Sequence, residues 1–227
     1  MRARTSARAA AGSKGDSGRL MGDSFWDLSR TAWSLSRRAA AQNPLPPLLL
    51  FTDPARTPDP MAAAAALPTG SAVVYRAFGA AEAPEVAREL RTLTARRGVR
   101  LLIGADAALA RAVGADGVHL PERLALRAGP LRRARPGWII TAAAHSLPAA
   151  RRALAAGADA VVVSAVFPSR SASAGPPLGA LRFARLVRAA GGPVYALGGV
   201  NMKNARRLLA SGAVGLAAVE GLAPGRI

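Results

Sequence analysis

From residue 48 onward, short and wholly apolar runs alternate with longer stretches in which apolar positions recur every three or four residues. Eight runs stand out: LLLFT (48–52), AVVYR (72–76), RLLIG (100–104), GVHL (117–120), WIITA (138–142), AVVVSAV (160–166), VYALG (194–198) and GLAAV (215–219). Runs of this length without polar alternation read as strands buried on both faces. Helical spacing covers 82–97, 105–113, 147–156, 179–190 and 201–211, with a weaker helix in PMAAAAAL. Strands apolar on both faces and separated by helices predict a parallel sheet closed into a (β/α)8 TIM barrel. An open doubly wound sheet is the alternative. The segments AVGADGVHL, AAGADAVVV and ASGAVGLAA repeat one logic. A helix ends at Gly, which tolerates the left-handed conformation, and a strand begins two residues later.

Ahead of the alternation, residues 24–41 carry Phe25, Leu28, Ala32, Leu35 and Ala39 at helical spacing, with Trp26 and Trp33 beside them. Ser24 and Asp27 resemble a capping box, and Arg37 and Arg38 sit where the helix dipole favours cations. Residues 1–22, rich in Arg, Ala, Ser and Gly, read as a disordered tail; a transit peptide would look similar. The chain thus divides into a tail (1–22), an amphipathic helix packing on the barrel (23–42) and the barrel domain (43–227). After the eighth strand only EGLAPGRI remains, too short for the usual outer helix. The N-terminal helix is expected to cover the strand surface left bare there.

Charge changes this picture little. There are 31 Lys and Arg against 13 Asp and Glu, a formal charge of +18. The cations are scattered over helix faces and not interleaved with aromatics, so nucleic-acid binding is not expected, whereas attraction for phosphorylated small molecules is. There is no cysteine, which excludes disulfides and thiolate metal sites. No apolar run approaches the roughly 18 residues of a membrane span. A soluble, cytoplasmic protein without a membrane partner is expected; a homo-oligomer stays open.

In a barrel of this kind chemistry sits where strands end. His145 follows the fifth apolar run, His119 ends the fourth, Asp53 follows the first, Arg76 ends the second and Glu220 follows the eighth. Gly198 and Gly199 after strand seven, with Val219, Glu220 and Gly221 after strand eight, would let backbone N–H groups approach a phosphate. A tight turn would demand the same two glycines. The long loop FPSRSASAGPPLG offers Ser169, Ser171, Ser173 and Arg170 to an anionic substrate, or is a Ser/Gly linker. Of the two histidines, His145 is the candidate general acid and base, and His119 reads as structural.

GADGVHLPE, AAHSLPAARRALAAGADAVVVSAVFPS, GPPLGALRFARL and PVYALGGVN, in this order, resemble the thiamine phosphate synthase/TenI superfamily over about residues 47–222. The resemblance implies the same barrel and a thiazole phosphate held at strands seven and eight, with Arg76, Ser169 and Ser171 joining the substrate site. Synthases of this family couple a pyrimidine diphosphate to thiazole phosphate with Mg2+. Their Asn-Asp pair after strand three is here Gly104 and Ala105, and their Gln-Glu-Asp after strand four is Glu122, Arg123 and Leu124. Their strand-two motif survives only as Arg76, with Val74, Ala77 and Phe78 in its other polar places, and the strand-six lysine is Ala172. The strand-eight serine is Glu220. The TenI branch, a metal-free thiazole tautomerase, keeps the histidine, here His145, and a Leu-Pro, here Leu120 and Pro121. The expectation is a TenI-like tautomerase with no metal and no cofactor. The alternatives are an Mg2+-dependent synthase using Asp106 or Glu122 for the metal, or a non-catalytic barrel that binds a phosphorylated ligand.

Overall fold

The computed structural model of the chain describes residues 17–39, 45–169, 171 and 175–219, with side chains from residue 28 onward. Eight parallel strands close into a barrel in chain order. They are β1 Leu48–Phe51, β2 Ala72–Tyr75, β3 Arg100–Gly104, β4 Gly117–Leu120, β5 Ile139–Ala144, β6 Ala160–Val163, β7 Val194–Ala196 and β8 Gly215–Ala218. Around them lie α1 Ser17–Arg38, α2 Pro60–Ala65, α3 Ala83–Arg97, α4 Ala107–Ala112, α5 Ala128–Ala134, α6 Leu147–Ala155, α7 Gly179–Ala190 and α8 Met202–Ala205. The sheet is the closed barrel and not the open alternative: β8 pairs with β1, Leu49 opposite Ala217.

Alternate residues of each strand serve two cores. Leu49, Phe51, Val74, Leu102, Val162 and Tyr195 fill the barrel interior. Leu48, Leu50, Val73, Leu101, Val118 and Val161 face the helices. Every residue of β1, β2, β4, β6, β7 and β8 is buried, which is why those runs show no polar alternation. The repeated Gly-Ala-Asp has two physical parts. Gly114 and Gly157 take left-handed φ of +65° and +101° to end their helices. The aspartate two residues on then caps the start of the preceding strand: Asp116 accepts from Leu101 N at 2.8 Å, and Asp159 from Ile140 N at 2.7 Å. Arg91 and Arg100 pair with Asp116, and Arg132 with Asp159, so each cap also ties in basic side chains from its surroundings.

Three stretches depart from the sequence pattern. The connection from β4 to β5 is a 3₁₀ turn, Glu122–Arg127, running into α5. Its residues buried against the core are the alanines Ala125 and Ala128, too small to stand out as a hydrophobic stripe. The helix expected over 201–211 is only α8 followed by a 3₁₀ turn, Arg206–Leu208. The N-terminal helix begins at Ser17, inside the stretch expected to be a disordered tail, and ends at Arg38 instead of residue 41. Once a helix is nucleated, extending it costs little per residue where no proline intervenes, so the start that Ser24 suggested does not hold it back.

α1 packs on α8, β8 and β1. Leu28, Ala32 and Leu35 are buried there, and Arg38 donates to the Leu209 carbonyl at 3.4 Å. A cavity left by a large buried aliphatic typically costs about 2–5 kcal/mol. Leu35→Ala should therefore lower the thermal midpoint clearly, and deleting residues 1–42 should yield aggregated or strongly destabilised protein. A soluble long deletion with an unchanged midpoint would show that α1 is dispensable to the barrel.

Candidate functional site

A cavity of about 350 Å3 opens where β7 and β8 end, lined among others by Arg56, Ser169, Gly198, Gly199, Asn201 and Val219. Gly198 and Gly199 have φ of +89° and +65°. A Cβ on Gly199 would fall on the Pro168 carbonyl oxygen and 2.8 Å from the Phe167 carbonyl carbon, and one on Gly198 would lie 2.8 Å from Ala165 Cα. The turn after β7 therefore presses against the chain leaving β6, and Phe167 N donates to Gly198 O at 3.0 Å. Packing alone requires both glycines, whatever the cavity binds. The amides of Asn201 and Asn204 donate to Gly199 O at 3.3 and 2.8 Å and hold the turn shut from the other side. Val219 O accepts from Thr57 Oγ1 at 3.3 Å. Ser169 lies on the cavity wall, and its Oγ accepts from Ser171 N at 3.3 Å. Glu220, Gly221, Arg170 and Ser173 lie outside the described residues.

Arg56 was not among the residues singled out from the sequence. It stands in the loop after β1 and reaches the cavity because Asp53 holds it, Nη2 to Oδ2 at 3.0 Å. The same carboxylate oxygen accepts from Arg76 Nη2 at 3.3 Å. The hydrogen bond from Arg56, outweighing the cost of burial, keeps the Asp53 carboxyl below its usual range. An arginine three residues after an end-of-strand aspartate was the signal available.

The guanidinium of Arg76, a candidate for substrate contact, is engaged with protein. Nε donates to Thr52 O at 2.7 Å, and the guanidinium lies 5.6 Å from the Phe51 ring centre and 5.1 Å from that of Phe78. Burial holds its pKa below the usual arginine range, against the pull of Asp53. A Cβ at Gly104 would already stand 3.0 Å from Arg76 Cγ. Arg76 thus leans over Gly104, where any side chain would crowd it.

His145 follows β5, just before the helix α6 that Ser146 caps through Ala149 N. One carboxylate oxygen, Glu122 Oε2, accepts from His145 N and contacts His145 Nδ1, both at 2.8 Å. Burial pushes the Glu122 carboxyl up, but the two hydrogen bonds from His145 outweigh it, and the net shift is downward. An ionised carboxylate can only accept, so Nδ1 carries a proton, and in the neutral ring the lone pair falls on Nε2. Nearly half of the imidazole surface is exposed. His119 is different. It is buried among the inner side chains of the barrel, 2.9 Å from Thr141 Oγ1 and edge-on to Phe51 at 4.8 Å.

The family model for thiamine monophosphate synthase matches residues 48–222, nearly the whole barrel. The chain belongs to this family. It is 38% identical over 139 residues to a putative thiamine-phosphate synthase of Geobacter sulfurreducens, covering 61% of this chain and 65% of that one. It is 37% identical over 166 residues to the thiamine-phosphate synthase of Chromobacterium violaceum, 70% and 79% of the two chains. Thiamine phosphate pyrophosphorylase from Pyrococcus furiosus superposes with a TM-score of 0.64 at 29% identity, over 78% of this chain and 86% of that one.

The synthase resemblance implies Mg2+ at this rim. Such an ion needs several hard oxygen ligands. The two carboxylates considered for it have other duties: Asp106 Oδ1 caps α4 through Leu109 N at 2.8 Å, and Glu122 binds His145. Gly104, Ala105 and Leu124 bring no side-chain oxygen. Among the described residues no group of three His, Cys, Asp or Glu is placed to hold a metal ion. The described residues do not fit the ion. Nor, among those residues, is any helix long and apolar enough to cross a membrane.

His119 generates a pH prediction. Burial, with Arg76 adding to it, pushes its pKa down to about 3 from 6.5. Between those values the unfolded chain binds a proton that the folded barrel refuses, so stability falls as pH drops from 6.5 toward 3. His119→Asn should flatten that part of the curve of thermal midpoint against pH. An equally steep curve in the variant would assign the acid sensitivity to the carboxylates alone.

Proposed function

We propose that this chain binds a thiazole phosphate and shifts a proton on its ring, as a thiazole tautomerase of the TenI kind, without metal. The observation that carries the proposal is the double hydrogen bond from His145 to Glu122 Oε2. It takes up the carboxylate that a metal would want and fixes the imidazole tautomer with Nε2 as base. An imidazole so held removes a proton from a ring carbon, and Glu122 stabilises the cation that results. The same Nε2–H then returns the proton at the second position, so the imidazole ends as it began. The phosphate would sit in the cavity beside Arg56 and Ser169, where a guanidinium supplies charge and forked donors. The second reading, thiamine-phosphate synthase, is favoured by the names of the relatives. It would need metal ligands that Gly104, Ala105 and Leu124 do not supply.

The test is turnover of thiazole carboxylate phosphate, followed beside Mg2+-dependent pyrophosphate release from the two synthase substrates. Tautomerisation is expected, and His145→Ala should lower it by about 10²–10⁴-fold in a folded protein. Glu122→Gln should lose a large part of the same factor, since an amide can present an N–H to Nδ1 and release the tautomer. Pyrophosphate release at about 1 per second or faster would establish the synthase reading instead. Full tautomerase activity in His145→Ala would place the base elsewhere.

A further inference from the structure

Phe78 follows β2 and is conspicuous on two independent counts. It is 67% exposed, one of the large hydrophobic side chains left facing solvent. It also adopts a left-handed φ of +49°, a conformation that costs a non-glycine residue free energy. An exposed aromatic gains little from burial to offset that cost. The residue's partner is also unusual. One side of its ring meets the guanidinium of Arg76 at 5.1 Å. Arg76 cannot swing away: Nε is bound to Thr52 O at 2.7 Å, and its backbone N donates to Thr52 Oγ1 at 2.9 Å. A cation beneath a ring holds it by attraction to the π cloud. The result is a flat apolar surface, fixed on one side and open to solvent.

Asp53 ties this surface to the cavity. Arg76 shares Asp53 Oδ2 with Arg56, and Arg56 lines the cavity at the ends of β7 and β8. A single carboxylate therefore links the residue that supports the ring to the residue that offers charge to an anion. We infer that Phe78 is a stacking platform for the planar heteroaromatic ring of a substrate whose phosphate occupies the cavity beside Arg56. The inference rests on the phosphate-ligand reading above and adds to it the part of the protein that recognises the ring. Stacked aromatic pairs add about 0.5–1.5 kcal/mol beyond area burial, which at its upper end is about tenfold in affinity. The strained backbone fits the same role, because it trades a little stability for the placement of the ring.

The experiment measures dissociation constants by calorimetry for two probes, inorganic phosphate and thiazole phosphate, on the unaltered chain and on Phe78→Ala, Phe78→Gly and Phe78→Tyr. Inorganic phosphate should bind all four equally. Thiazole phosphate should bind Phe78→Ala and Phe78→Gly about tenfold more weakly, and Phe78→Tyr should restore it. Phe78→Gly, which accepts positive φ without strain, should keep or raise the thermal midpoint while it loses ring affinity. A residue that merely supported the loop would lower both. If thiazole phosphate binds Phe78→Ala as tightly as the unaltered chain, the platform is refuted and the phosphate reading stands. If neither probe binds the unaltered chain, both are refuted.

Discussion

Closure between the first strand and the last is the constraint on which the rest of this structure depends. β1 and β8 pair in parallel, Leu48 with Leu216 through Leu50 with Ala218, although their residues lie at opposite ends of the barrel sequence. A parallel neighbour on each side satisfies every strand's backbone, and no edge is left open. Closure has a consequence on the outside. Leu48 and Leu50 point away from the barrel axis and need an apolar cover. Where a barrel strand is ordinarily followed by its own helix, this seam takes its cover from before the barrel, in α1. Leu28, Ala32 and Leu35 are buried in that position, and Arg38 reaches the carbonyl of Leu209 beyond α8. The opening and the end of the barrel are thus held by one helix, and β8 is delivered in register to the rim where the cavity forms.

Among the described residues at that rim, three carboxylates are committed to other partners. Asp106 caps a helix, Asp53 holds two arginines, and Glu122 holds a histidine. A protein with 13 acidic residues against 31 basic ones has few to spare for a hard cation. The contrast with the synthase pattern falls at particular positions. Gly104 stands where the synthase pattern has asparagine, and Arg76 lies against it. Phe78 stands in a polar place of the strand-two pattern and rests on that same arginine. On the reading proposed above, the site is organised by arginine, imidazole and aromatic surface, without a metal. Proton transfer needs no more than that, whereas departure of pyrophosphate needs its charge neutralised.

Much of the fold could be read from the chain because strands buried on both faces leave an unmistakable apolar run. All eight runs are strands, and the closed topology follows from their count and from the helices between them. The parts that escaped have physical reasons. The turn Glu122–Arg127 and α5 bury alanines, whose small side chains hardly register as a stripe. The aspartates of the Gly-Ala-Asp repeat were visible, but their bonds to Leu101 N and Ile140 N cross between strands, and no local pattern encodes that. The glycines after β7 were read for the ligand they could admit. They are equally explained by the approach of Phe167 and Pro168, which lie some thirty residues earlier in the chain. Arg56 escaped although Asp53 lies only three residues away, because a loop arginine is unremarkable until a carboxylate is seen to hold it. Glu122 was singled out as a metal ligand, but its bond to His145 joins the ends of β4 and β5, and no local pattern encodes that.

The two histidines show how environment divides the work of one residue type. His119 lies inside the barrel, where removal from water forbids the charged form, and its ring serves as a neutral partner for Thr141 and Phe51. His145 stands at the rim, with a carboxylate on one ring nitrogen and nearly half of its side chain exposed. A base must be able to accept a charge and then lose it, which requires both water nearby and a counter-charge in place. Only the second position offers both. The placement also explains why Glu122 binds the backbone N–H of His145 as well as its ring. On the proposed reading, a carboxylate anchored to the main chain at the end of β5 keeps its place while the imidazole takes up and returns a proton, so the barrel itself holds the orientation of the ring.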